Sequence, residues 1–132
     1  MGDGANLVDD LTINGEESLL RRIRSDWWKF DKNLRRKRPK SIAFRNGNGS
    51  IAMSVSRQKI LIELGKGPES LLLETGDGVA SISAQFARDQ NQIIVQAPTE
   101  ADDSHTHVIG DKPKRVQRNF AKVAKWPIEP PD

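Results

Sequence analysis

Cysteine is absent from this 132-residue chain, which excludes disulfide staples and every thiolate metal site. A reducing compartment, the cytoplasm, is therefore the expected home. Histidine is almost as scarce. His105 and His107 are the only two; Asp102 and Asp103 are near enough in sequence to add oxygen ligands, but they fall in a loop, and the third converging ligand a metal centre needs is not identified. No apolar run approaches the roughly 20 residues that span a bilayer. The acidic N-terminal residues also carry no signal-peptide pattern, so no membrane association is expected. Aromatic residues are few, three Trp and four Phe, and a core of this size claims most of them. The glycine-rich stretches NGNG and GKGPES match neither a P-loop nor a Rossmann fingerprint, and no G-x-S-x-G elbow occurs. No cofactor and no metal are expected.

What the chain does have is segregated charge. The formal net charge is only +3, yet residues 21–45 hold eleven Lys/Arg against Asp26 and Asp31, and residues 112–125 hold six more with no acid. Acids dominate 1–17, 63–77 and 100–103. Such separation builds a field that steers anionic partners, although charge runs on small proteins are often solvated faces and nothing more.

The length suits one domain with its own core. We expect a loose acidic tail over 1–12, a single domain over 13–127 and a C-terminal tail over 128–132. A helix is predicted from Asn14 or Gly15 to just before Pro39, with Leu19, Leu20, Ile23 and Trp27 as its buried stripe. The Asn46-Gly47-Asn48-Gly49 stretch is a strong hairpin signal and predicts that 41–45 pairs with 50–56, burying Met53 and Val55. Residues 57–64 fit either helix or strand, and Pro68 opens a short helix. Strands are predicted at 79–84, 92–96 and 104–110, with a helical turn near 85–90. A last helix from about Pro113 to Lys125 buries Val116, Phe120 and Val123. These elements describe an α+β fold, a largely antiparallel sheet with helices near both ends of the chain.

The candidate functional residues follow from the same reading. Arg35, Arg36, Lys37 and Arg38 form an unbroken cationic run, and Lys114, Arg115 and Arg118 lie on the exposed side of the last helix. Aromatics beside a cationic run are a nucleic-acid signature, and Trp28 is the candidate stacking residue. Trp27 belongs to the core, and Phe30 fits either role. Ser54 and His105 lie on predicted strands and are the candidate catalytic pair, because imidazole as a residue type titrates near neutrality. Small serine side chains suit a tight strand face equally well.

The pieces R-P-x-S-x-A-F-R from Arg38 to Arg45, S-V at Ser54-Val55, A-R at Ala87-Arg88, and H-T-H-V-I-G-D-K from His105 to Lys112, followed by a basic helix ending in Trp126, resemble a family of small bacterial proteins with no assigned function. The similarity spans about residues 27–126. The resemblance implies that Arg38, Ser41, Phe44, Ser54, Arg88, His105 and Lys112 occur together, which adds Arg88 and Lys112 to the candidate anion-binding residues. Such a set builds either an anion pocket or an internal polar network.

Three functions stay open on the sequence. The first is a small basic binding module for an anionic partner, nucleic acid or an acidic protein surface. The second is a small enzyme or nucleotide-binding protein with an Arg/Ser/His/Lys pocket. The third is an accessory protein–protein interaction subunit. Convergence of the cations on one patch favours the first, and convergence of Arg38 with His105 in a cleft favours the second.

Overall fold

Leu19 and Leu20 are neighbours in sequence, and both are buried. A strand covered on both faces does this, and so does the apolar stripe of a helix. In the computed structural model, which describes residues 7–131, they belong to a strand, β1 (Ser18–Ile23). β1 lies inside a six-stranded sheet of order β6-β7-β4-β1-β5-β8 in which every pairing is antiparallel. The sheet's other strands are β4 (Ala52–Arg57), β5 (Gly78–Ser83), β6 (Ile93–Gln96), β7 (His105–Ile109) and β8 (Lys125–Ile128), and β1 pairs with β4 and β5. The remaining strands, β2 (Trp28–Asp31) and β3 (Arg36–Pro39), form a separate hairpin. The helices are α1 (Gln58–Glu63), α2 (Ala84–Asp89) and α3 (Lys114–Val123). The class is α+β.

The register sorts the side chains. Leu19 lies opposite Arg57 and Ile82, and Leu20 opposite Ser56 and Ser81, so these two sets occupy opposite faces. The Leu19 face carries the main core, in which Met53, Val55, Ile82 and Val108 meet Phe44, Phe120 and the alanines of α2. The Leu20 face carries a smaller cluster with Leu61 and Val79, capped by Leu71 and Leu72. Among the described residues no helix is long and apolar enough to cross a membrane.

Both outer strands are blunted. On β6 the Asp10 amide donates to Ile94 O at 2.8 Å, the Ile94 amide donates to Asp9 Oδ1 at 2.9 Å, and Gln96 Nε2 donates to Asp10 Oδ2 at 2.8 Å. β8 on the opposite side carries Pro127.

Several expectations are corrected. The helix predicted from Asn14 to Pro39 is instead β1, a 3₁₀ turn at Ser25–Trp27 and the β2–β3 hairpin. Asn14 and Glu17 do exchange the hydrogen bonds of a helix start, Asn14 N to Glu17 Oε2 at 3.1 Å and Glu16 N to Asn14 Oδ1 at 2.8 Å. They use them to turn the chain into β1. The hairpin predicted across Asn46–Gly49 is absent, because Ser41–Phe44 is a 3₁₀ helix that buries Ala43 and Phe44 in succession. The turn chemistry is present, with Gly49 at φ 67°, but it leads into β4, which pairs with β1 and β7. Met53 and Val55 are buried as expected, and Ser54 is exposed. The last helix stops at Val123, which is 42% exposed rather than buried, and the chain continues as β8 as far as Ile128. Of the acidic tail predicted over 1–12, residues 1–6 lie outside the described residues, while Asp9 and Asp10 are held on β6.

Candidate anion-binding groove

The β2–β3 hairpin is shaped by Asp31. Its Oδ1 accepts the amides of Asn33 at 2.9 Å and Leu34 at 3.0 Å, which closes the loop, and Arg35 takes a left-handed φ of 53° to return the chain. Pairing of Lys29 with Arg38 and of Asp31 with Arg36 puts these four on one face of the hairpin. Trp28, Phe30, Lys37 and Pro39 fall on the other. That second face is fastened to the body of the protein. Trp28 Nε1 donates to Gly76 O at 3.1 Å, Trp126 Nε1 donates to Lys37 O at 3.1 Å, and Lys37 Nζ donates to Pro130 O at 2.6 Å.

After Pro39 the 3₁₀ helix inserts Phe44, whose ring centroid lies 5.8 Å from that of Phe120 on α3. α3 buries Val116, Phe120 and Ala121 and thereby leaves Arg118 and Lys122, one turn apart, facing the hairpin. Between hairpin and helix runs a groove of about 750 Å³. Lys29, Arg36, Arg38, Lys40, Arg118 and Lys122 line it, with Asp31 as the single acid among the described residues. Leu34, Ile42 and Ala121 contribute the apolar part of its lining.

Asp31 is held below the usual carboxylate range chiefly by the Leu34 amide, with a lesser contribution from the Arg38 charge. Arg38 Nε lies 2.7 Å from Asp31 Oδ2, a close contact of opposite charges without hydrogen-bond alignment. Among the described residues, Lys29, Arg36, Lys40, Arg118 and Lys122 have no carboxylate within ion-pairing distance. Like charges facing one another across a concave, partly apolar surface reinforce each other's potential.

The sequence-predicted residues divide. Arg36, Arg38 and Arg118 line the groove, and Arg35 sits exposed at the adjoining loop. Lys114 and Arg115 are exposed on the first turn of α3, outside the groove. Lys37 points to the opposite face, where its Nζ lies 5.6 Å from the Trp28 ring. Trp28, half-buried and with its N–H engaged, is turned away from the groove, and Phe30 on the same face is 57% exposed. Trp27 packs against the core between Arg21 and Arg24.

Arg88 and Lys112 are internal. Arg88 Nε meets Asp9 Oδ2 at 2.8 Å, and its guanidinium also donates to Asp10 O and Ile13 O. Lys112 Nζ donates to Asn46 Oδ1, to Val108 O at 2.9 Å and to Gly110 O at 3.1 Å. Burial pushes the Lys112 ammonium down to about 8, helped by the Arg21 charge and opposed by Asp111. Nearby Arg21 donates to Ala43 O at 2.9 Å and Ser54 O at 2.8 Å, and burial with the Arg45 charge lowers it to about 10.

Ser54 and His105 share the open side of the sheet but are not directly paired. Ser54 lies opposite His107, and Ser56 opposite His105. His105 Nδ1 is 2.8 Å from Ala97 O, which fixes Nδ1 as the protonated nitrogen, and the two imidazoles stack edge to face at 5.1 Å. His107 is lowered by burial, then by its neighbour His105. A cavity of about 160 Å³ adjoins Ser54, Ser56, His105 and Arg22. No serine–imidazole hydrogen bond occurs there among the described residues, and no cluster of three or more metal-ligating side chains is found among them. Arg38 and His105 line different cavities.

Sequence reasoning missed Lys29 and Lys40 as groove residues, and it placed Lys122 on the water-facing basic side of the last helix without naming it among the anion-binding residues. The period-two placement of Lys29 with Asp31 and of Arg36 with Arg38, and the four-residue spacing of Arg118 and Lys122, were the available signals. No family model matches the chain, and no curated protein or solved structure matches it either.

Proposed function

We propose that the chain is a binding module that holds an anionic partner in the groove between the β2–β3 hairpin and α3. One observation carries this reading. Cations from two segments far apart in sequence, 29–40 and 118–122, line a single groove that contains one acid among the described residues. Folding apposes like charges only at some electrostatic cost, and a bound polyanion relieves it while releasing its own counterions. The groove offers positioning without base readout, so binding depends on charge and salt more than on sequence.

A salt titration with mixed-sequence RNA, duplex DNA and polyglutamate tests the proposal. Affinity for duplex DNA falls with salt on a log–log slope of about −0.9 per neutralised phosphate. The double substitution Arg36→Glu with Arg118→Glu flattens the slope and weakens binding to every polyanion alike, with the thermal unfolding transition retained. No binding to any of the three at low salt removes the proposal.

A further inference from the structure

Resting on the anionic-partner reading, we propose that the groove takes an acidic peptide segment bearing aliphatic side chains rather than a nucleic-acid strand. The apolar part of the lining decides between them. Leu34, Ile42 and Ala121 line the groove together with the cations, and Leu34 is left 53% exposed. Aliphatic lining gives area to a Leu, Ile or Val side chain but no π-face for a base. The rings that could have supplied one are turned away, since the register puts Trp28 and Phe30 on the hairpin face opposite Lys29 and Arg38.

The cationic part of the lining agrees with this. Arg36 on the hairpin and Arg118 on α3 present guanidinium groups suited to bidentate carboxylate recognition, with Lys29 and Lys122 beside them. An apolar centre rimmed by Arg and Lys is the anatomy of a protein–peptide interface. Asp31, pinned into the hairpin wall by two backbone amides, opposes a continuous run of phosphates. A peptide whose carboxylates are intermittent passes it. The volume of about 750 Å³ holds a short segment only, so recognition rests on a few side chains.

The test is fluorescence anisotropy at 150 mM salt, about a physiological ionic strength, with three probes: an alternating Glu/Leu peptide, polyglutamate of equal charge, and mixed-sequence single-stranded RNA. The Glu/Leu peptide is expected to bind about tenfold more tightly than polyglutamate, the value of roughly one well-buried aliphatic group. Leu34→Ser, an exposed loop substitution compatible with folding, erases that difference by weakening the Glu/Leu peptide about tenfold more than polyglutamate. Arg36→Glu weakens all three probes. Equal affinity for the two peptides, or RNA displacing the Glu/Leu peptide at this salt, overturns the peptide assignment and leaves an anion-binding groove. Absence of binding by every probe at low salt overturns the groove's anionic role itself.

Discussion

Arg57 at the end of β4 and Arg36 at the start of β3 are both strand arginines, yet the protein treats them in opposite ways. Arg57 is buried and forks onto Glu17, with Nε and Nη2 donating at 2.9 and 2.8 Å, and both side chains are 7% exposed. Burial alone pushes the Glu17 carboxyl up, but the Arg57 hydrogen bond and charge more than offset it, and the group ends below its usual value. Arg36 is exposed and, among the described residues, has no carboxylate partner. The same division separates Arg22, paired with a buried Asp77 at 2.7 Å, and Arg88, paired with Asp9, from Lys29, Arg118 and Lys122 in the groove. Arg22, Arg57 and Arg88 are tied by carboxylates into the body of the fold, whereas Lys29, Arg36, Arg118 and Lys122 line the groove without such a partner among the described residues.

That contrast can be broken most forcefully at Arg57. Arg57→Ala leaves Glu17 buried without its counter-charge and is expected to cost about 3–5 kcal/mol, measured by chemical denaturation. A loss under about 1 kcal/mol would put the pair in the class of surface ion pairs and erase the distinction. Lowering pH reads the same pair. Glu17 is depressed on folding, so its contribution is present above its unfolded value of 4.5 and disappears as pH falls through the lower folded value.

Lys112 sharpens the comparison from the alkaline side, because it is buried without a carboxylate. Its folded value of about 8 lies below the ordinary 10.5. Between these the unfolded chain holds a proton that the folded one has released, so stability rises with pH across that window, by at most about 1.4 kcal/mol per pH unit. Lys112→Met should flatten this rise in denaturation midpoints taken between pH 8 and 10. An unchanged rise would assign the effect to other groups. The smallest stability effect is expected in the groove. Arg36→Ala and Lys122→Ala should each shift stability by no more than about 0.5 kcal/mol, read as unfolding midpoints. A clear stabilisation on removing either would show that mutual repulsion in the groove is larger than solvent screening allows.

The parts of this fold legible in the sequence are those whose partners are near or whose ends are punctuated. β5, β6, β7 and α3 sit between Gly, Pro and polar breaks, and each was found within a few residues. β1 was not, because Leu19, Leu20 and Ile23 fit a helical stripe as well as a strand with both faces covered. Covering depends on β4, β5 and the elements over each face, none of which is local. The Asn-Gly pairs did mark a turn, but turn chemistry states only that the chain bends there. Burial of Ala43 and Phe44 against α3 decided that a 3₁₀ helix precedes it. For the site, the cationic segments were plain from composition, whereas their sorting was not. Arg88 and Arg36 look alike until the chain brings Asp9, 79 positions away, to the first of them.

The blunted outer strands bear on how the protein behaves at high concentration. An uncovered Ile93-Ile94-Val95 run would offer free amides and carbonyls to another molecule's strand, the usual seed of edge-to-edge aggregation. Asp9 and Asp10 occupy those groups on β6, while on β8 Pro127 lacks the amide a further strand would need. The acidic residues ahead of the sheet thus act as a gatekeeper. Their removal would expose the Ile94 amide and carbonyl to another molecule's strand and take from Arg88 the Asp9 carboxylate that pairs with it.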